Sequence, residues 1–297
     1  MSRVEYRQDD GVRLVADVTG HPTGPRIILA HGGGQTRHSW AGAARHLADT
    51  GYRVINYDAR GHGESDWSKD HKYSTARRWI DMRQILDASG AGNAEIGRTQ
   101  SPPDERVAIV GASMGGATAL FGVSQGYRPD ALILVDIAPN SNREGMERVR
   151  TFMASGLGGY ATLDEAAEAV AAYNPSRPRP LGTTGLRKNL RRHANGRWYW
   201  HWDPGTIDVE IDAERQLMAS TMDAIVQAKE LPVLLVRGLQ SEIVTDCTVA
   251  EFRSRLPRLE VADVGGAGHM VAGDRNDAFN SAVLEFLRRQ LPLPTQS

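Results

Sequence analysis

Cysteine is almost missing from this chain: among 297 residues only Cys247 is one. No internal disulfide can form, so the fold cannot depend on an oxidising compartment. Long apolar runs are missing as well, and no window approaches the ~20 residues of a membrane-spanning helix. The opening stretch, Met1 to Asp10, is polar and charged and lacks the apolar core of a secretory signal. Neither membrane insertion nor secretion is expected, and the chain reads as cytoplasmic. An excess of either charge is also lacking. The 35 Lys and Arg stand against 36 Asp and Glu, a formal net charge of -1. That balance argues against a nucleic-acid partner, which would need a basic excess, and gives no reason to expect a membrane-surface protein. Lysine is confined to Lys69, Lys72, Lys188 and Lys229, and nothing in the sequence gives that bias a function.

Apolar residues are plentiful. At 40% of the chain they suffice for a sizeable core in one large domain or two small ones. Short β-like runs alternate with helical patterns. Strands are expected over 3–8, 13–18, 26–30, 53–57, 106–110, 131–135, 232–236 and 260–264. Several are almost continuous in Val, Ile, Leu and Ala, as suits parallel strands buried on both faces. Amphipathic stretches over 40–50, 75–88 and 278–290 lie between them. Alternation of this kind predicts an α/β fold, a mostly parallel eight-stranded sheet with helices on both faces. Asp9-Asp10-Gly11 between the first two runs signals a hairpin, so the sheet should begin antiparallel.

One segment breaks the rhythm. About a hundred residues separate the run at 131–135 from that at 232–236 without an obvious parallel strand. They contain helical patterns over 164–173 and 214–229 and a Pro/Arg loop over 174–181. A mainly helical cap is expected at 137–230, dividing the core into 1–136 and 231–297. A second insert, 90–105, is rich in Gly, Ser and Pro and reads as a surface loop.

The chemistry begins at Val107-Ala108-Ile109-Val110-Gly111-Ala112-Ser113-Met114-Gly115-Gly116. An apolar strand, a G-x-S-x-G turn and a helix start follow one another, the context that exposes a nucleophilic serine beside a helix N-terminus. A serine needs a base, an acid that holds the base, and donors for the oxyanion. His269 is the base candidate, in a glycine-rich loop between the last strand and the last helix. The acid is expected in the loop after the run at 232–236. Glu242 is the first choice there, with Asp246 further along and Asp136, at the end of the strand at 131–135, as alternatives. Oxyanion donors are expected at Met114 and in His31-Gly32-Gly33-Gly34.

These motifs, with Tyr57-Asp58-Ala59-Arg60-Gly61-His62-Gly63-Glu64-Ser65 and Gly268-His269, resemble those of the α/β-hydrolase superfamily. They span nearly the whole chain and stand in family order. The resemblance implies Ser113 as nucleophile, His269 as base, Gly33 and Met114 as oxyanion donors, and an acid after the run at 232–236. Many relatives have aspartate there, so Glu242 is a departure. A serine in the nucleophile position disfavours the dehalogenase and epoxide-hydrolase chemistries of this fold, which use aspartate. The stretch from Tyr57 to Ser65 reads as a structural turn behind the nucleophile loop.

Trp198-Tyr199-Trp200-His201-Trp202 places four large aromatics within five positions of the cap. Trp198, Trp200 and Trp202, with His31 and Gly34, are candidates for the substrate pocket, and packing between cap and core is the alternative for the aromatics. No second His or Cys lies at ligand spacing from His201, so no metal is expected, and no cofactor. The leading reading is a serine hydrolase acting on a small hydrophobic ester or lactone. Carbon–carbon bond hydrolysis, a cofactor-free haloperoxidase-like reaction and a non-catalytic receptor are the alternatives. Self-association is left open.

Overall fold

The computed structural model describes residues 1–90, 105–175, 182–183, 185–271 and 276–293. Along the chain, β1 (Ser2–Arg7) and β2 (Arg13–Gly20) precede β3 (Arg26–Ala30), α1 (Ala41–Thr50), β4 (Arg53–Tyr57) and α2 (Thr75–Ala88). Next come β5 (Val107–Ala112), α3 (Met114–Ser124) and β6 (Ala131–Val135). The inserted stretch holds α4 (Arg143–Ser155), α5 (Leu163–Tyr173), a hairpin of β7 (Leu190–Arg192) and β8 (Trp198–Trp200), and α6 (Ile211–Gln227). The chain then adds β9 (Val233–Gly238), α7 (Asp246–Arg255), β10 (Glu260–Val264) and α8 (Asn276–Gln290).

Eight strands form one sheet in the order β1-β2-β4-β3-β5-β6-β9-β10. β1 and β2 are antiparallel, Arg7 opposite Arg13, joined through the expected turn with Gly11 at φ 83°. β2 meets β4 antiparallel, and the remaining pairs are parallel. The apolar runs bury both faces because strand side chains alternate. Ile28, Ile109, Leu132, Leu134 and Leu235 join one core layer, under α2, α3 and α6. Ile27, Leu29, Val110, Ile133 and Val236 join the other, under α1 and α8.

The insertion differs from a plain helical cap in two ways. It carries the β7–β8 hairpin, whose loop turns at Gly196, φ 80°. Its last helix, α6, buries Met218, Met222 and Ile225 in the main core against α3. Of the two expected loops, 91–104 and 176–181 lie outside the described residues.

The stretch from Tyr57 to Ser65 is structural. Asp58 accepts from the backbone N–H and the guanidinium of Arg37 and from the N–H of Glu64. Arg60, almost wholly buried, grips Asp81 through two nitrogens at 2.5 and 2.7 Å. Burial nevertheless holds the Asp81 carboxyl above its ordinary value, outweighing the arginine's pull. Such a pair adds little over an apolar substitute but is costly to break from one side. Asp81→Ala should therefore destabilise the fold by about 3–5 kcal/mol, whereas a paired apolar replacement of Arg60 and Asp81 should cost clearly less. Urea unfolding of the three proteins tests this, and equal losses would refute it.

Candidate active site

Ser113 stands between β5 and α3 with φ 44° and ψ -112°. A residue with a side chain enters that region only under strain, of order 1–3 kcal/mol. The turn is packed tightly against β3: a Cβ on Gly115 would lie 2.3 Å from the carbonyl oxygen of Ala30, so only glycine fits. Ser113 is half-buried, and Met114 is the first residue of α3, where backbone N–H groups have no acceptor within the helix.

Asp136 holds the equivalent place on the next strand. β5 and β6 are in parallel register with Ala112 opposite Val135, so the chain leaves both at one level. Asp136 also has positive φ, 51°, and is wholly buried. Its Oδ2 accepts from the Nδ1–H of His269 at 2.7 Å and from the Ser241 hydroxyl at 2.5 Å. Its Oδ1 accepts from the Gly238 N–H at 3.3 Å. A carboxylate oxygen only accepts, so the bond fixes the proton on Nδ1 and leaves Nε2 as the basic nitrogen. The histidine loop is itself tied to the end of β9. Leu239 N–H donates to Val264 O at 3.1 Å and Gln240 N–H to Ala267 O at 3.0 Å.

This corrects the expected acid. Glu242 does not meet His269; its side chain is 53% exposed and pairs with Arg148 at 2.6 Å. The preceding residue takes the ground a loop acid would need. Ser241 Oγ bonds Asp136 and also accepts from the N–H groups of Ile243 and Val244 at 3.1 and 3.3 Å. Asp246 opens α7 after the N-cap Thr245, and its 91% exposed side chain pairs with Arg237. Ser241 itself escaped the sequence reading. Its small hydroxyl directly after the strand-end loop was the only sign.

The early glycine loop lies against the nucleophile: a Cβ on Gly32 would be 3.4 Å from Ser113 Cβ. Among the described residues no acceptor meets the N–H of Gly33. Gly34 N–H is occupied, donating to His62 Nε2 at 3.1 Å. His31 is buried and uses both ring nitrogens, Nδ1 to Gly32 O at 2.8 Å and Nε2 from Ala59 N–H at 2.9 Å. It is a bracket for the loop, not a pocket residue. Burial holds both rings below the ordinary histidine range, and the neighbouring His31, 5.1 Å away, lowers His62 further. His201 is pulled down to about 4 by burial and by Arg191.

A cavity of about 220 Å³ adjoins His269 and Met270, walled by Arg148 and Val149 of α4, Tyr173, and Glu242 and Ile243. None of Trp198, Trp200, Trp202, His31 and Gly34 lines it. Trp202 is buried beside His62, to which it is bridged. Trp200 packs edge-on against Phe152 and Tyr160, and Phe152 stacks on Tyr173 at 4.2 Å. Trp200 therefore supports the cavity wall from behind, whereas Trp202 stands at the glycine loop, its Nε1 3.7 Å from where a Gly34 Cβ would lie. Met153, one turn beyond Val149, stands over the glycine loop, its Cε 3.4 Å from where a Gly34 Cβ would lie.

A serine on a strained strand-to-helix turn, a histidine after the last strand, and a buried aspartate on that histidine are the arrangement that serine hydrolases on α/β sheets carry. The chain belongs to the α/β-hydrolase fold family, whose model matches residues 25–275. It is similar to esterase Rv0045c of Mycobacterium tuberculosis, 29% identical over 84% of this chain and 78% of that one. The mouse sn-1-specific diacylglycerol lipase ABHD11 is 28% identical over 90% and 82% of the two chains. A solved α/β hydrolase from Novosphingobium aromaticivorans superposes with a TM-score of 0.78 over 97% of this chain and 98% of that one, at 24% identity. No helix among the described residues is long and apolar enough to cross a membrane.

Two outcomes are expected. Asp136→Asn should lower kcat by about 10²–10⁴-fold, since the amide cannot hold the histidine tautomer, and Glu242→Gln by far less; the reverse order would restore Glu242 as the acid. The depressed histidines also set an acid limit on stability. Below about pH 6.5 the unfolded chain binds protons that folded His31 and His62 refuse, so stability is present above that pH and lost as pH falls. The slope should reach up to about 1.4 kcal/mol per pH unit for each. Urea unfolding between pH 7.5 and 5 checks it, and a slope that His62→Gln leaves unchanged would remove His62 as a cause.

Proposed function

We propose that the protein is a serine hydrolase of small carboxylic esters or lactones, working through an acyl-enzyme. The observation that carries the reading is the 2.7 Å bond from His269 Nδ1–H to buried Asp136, on a sheet edge where the next strand end presents Ser113 in a strained turn. His269 Nε2 takes the proton of Ser113 Oγ as the oxygen attacks the ester carbonyl. Asp136 keeps the ring in the required tautomer and stabilises the imidazolium. The N–H groups of Gly33 and Met114 receive the oxyanion, helped by the positive end of α3. The imidazolium returns its proton to the departing alcohol. Water, activated by the same nitrogen, then releases the acid.

The apolar part of the substrate rests on Val149, Ile243, Met270 and Tyr173, apolar members of the cavity wall. The cap proper is α4, α5 and the β7–β8 hairpin, because α6 is buried in the main core. Named esterases and lipases among the relatives support ester chemistry. A fluorophosphonate probe should label the protein on Ser113, and Ser113→Ala should abolish labelling and lower hydrolysis of p-nitrophenyl butyrate by about 10³-fold or more while the chain stays folded. Turnover retained by the folded variant would overturn the reading.

A further inference from the structure

We infer that the substrate bears a carboxylate and that Arg148 binds it in the cavity beside His269; the inference rests on the serine-hydrolase reading above. Among the described residues, Arg148 is the one permanently cationic side chain in the cavity wall and Glu242 the one carboxylate. Arg148 comes from α4 and Glu242 from the loop after β9, and the two meet at 2.6 Å. The contact uses a single guanidinium nitrogen, Nη1. Among the described residues no acceptor meets Nε or Nη2 of Arg148. Arg60, Arg143 and Arg237 by contrast spend two nitrogens each on one protein carboxylate, Asp81, Asp212 and Asp263, whereas Arg3 and Arg255 use one as Arg148 does.

A planar guanidinium with unspent donors matches the two oxygens of a carboxylate. The existing pair is a weak competitor. Arg148 and Glu242 are 57% and 53% exposed, and water screens such pairs to little net value. A substrate carboxylate inside the cavity meets the same cation with less water around it. Glu242 then acts as a selector in the opposite sense. Its charge repels an anion, and a dianionic phosphate more than a monoanionic carboxylate. The bound carboxylate takes no part in bond making or breaking; it fixes the scissile ester relative to Ser113.

The test compares matched charged and neutral esters: 4-acetoxybenzoate against 4-acetoxybenzamide, with the charge on the alcohol side, and monomethyl adipate against methyl adipamate, with the charge on the acyl side. In at least one pair wild-type kcat/KM should favour the carboxylate. Arg148→Gln should lower that charged-to-neutral ratio about tenfold, as expected for one charge-assisted hydrogen bond, and Glu242→Gln should raise it. Circular dichroism and thermal unfolding verify that both variants fold. A ratio that neither substitution moves in either pair overturns the carboxylate assignment. So does a wild-type protein that hydrolyses the neutral esters but neither charged one. Failure of the underlying reading looks different: the wild type would hydrolyse none of the four esters and leave the fluorophosphonate probe unreacted.

Discussion

The buried carboxylate of Asp136 is the point on which the carboxyl edge of the sheet converges. It is wholly enclosed and holds donors from Gly238, Ser241 and His269. Two come from the end of β9 and its loop and one from the loop after β10, so four neighbouring strands are locked together: β5 by register, β6 by carrying the residue, β9 through Gly238 and Ser241, and β10 through the histidine loop. An enclosed anion stripped of one donor loses roughly 1–3 kcal/mol or more. That pressure keeps the residue at φ 51°, a conformation that persists only where surrounding bonds over-determine it. The hydrogen bonds that make Asp136 a good partner for His269 are the same ones that make its backbone strain tolerable.

Much of this was legible in the sequence, and the part that was not has a definable cause. The continuous apolar runs announced the strands, and the bounds of β3, β4, β6 and β10 match the runs at 26–30, 53–57, 131–135 and 260–264. The strand-to-helix context announced the turn at Ser113, and the glycine loop after the last strand announced His269. The acid failed because its choice depends on strand order and register, which no local pattern encodes. Ala112 lies opposite Val135 only because β6 is β5's neighbour in parallel register. Asp136 did carry a weak signal, a charge ending a wholly buried strand just as Ser113 ends one. The hairpin at β7–β8 was also readable in principle, since Asn195-Gly196 is a turn signal and the run after it, Trp198-Tyr199-Trp200, is strand-favouring.

His31 and His62 show a different use of the side chain that His269 carries. His31 and His62 both sit where the backbone offers one acceptor and one donor: Gly32 O and Ala59 N–H for His31, Arg60 O and Gly34 N–H for His62. A neutral imidazole is the side chain that satisfies such a pair with a rigid ring. Lysine or arginine would bring a charge into the interior, and a hydroxyl would not span the distance. The rings hold the glycine loop in which, among the described residues, no acceptor meets the Gly33 N–H. Placing His31 in the pocket mistook a bracket for a contact, because residue type alone does not reveal which ring nitrogens are already spent.

The inserted layer reaches the site chiefly through α4. Asn142 N–H donates to Ile243 O at 2.9 Å, and a Cβ on Gly145 would lie 2.4 Å from Glu242 O, so the first turn of α4 closes directly onto the loop after β9. Val149 and Met153 follow at intervals of four residues, the spacing that keeps side chains on one helix face. That face runs from the Glu242 loop across the cavity to Met153 above the glycine loop. Ser113, Asp136 and His269 are therefore anchored at the ends of sheet strands, while one wall of the cavity is a helix docked at its first turn. Val149, Phe152, Met153 and Arg148 can change without touching Asp136, His269 or Ser113. Phe152 passes the constraint on: stacked on Tyr173 and edged by Trp200, it couples the cavity wall to the aromatic hairpin behind it. The cavity wall thus rests on the docking of α4 and on what stands behind Tyr173, and the placement of His269 rests on the carboxylate beneath it.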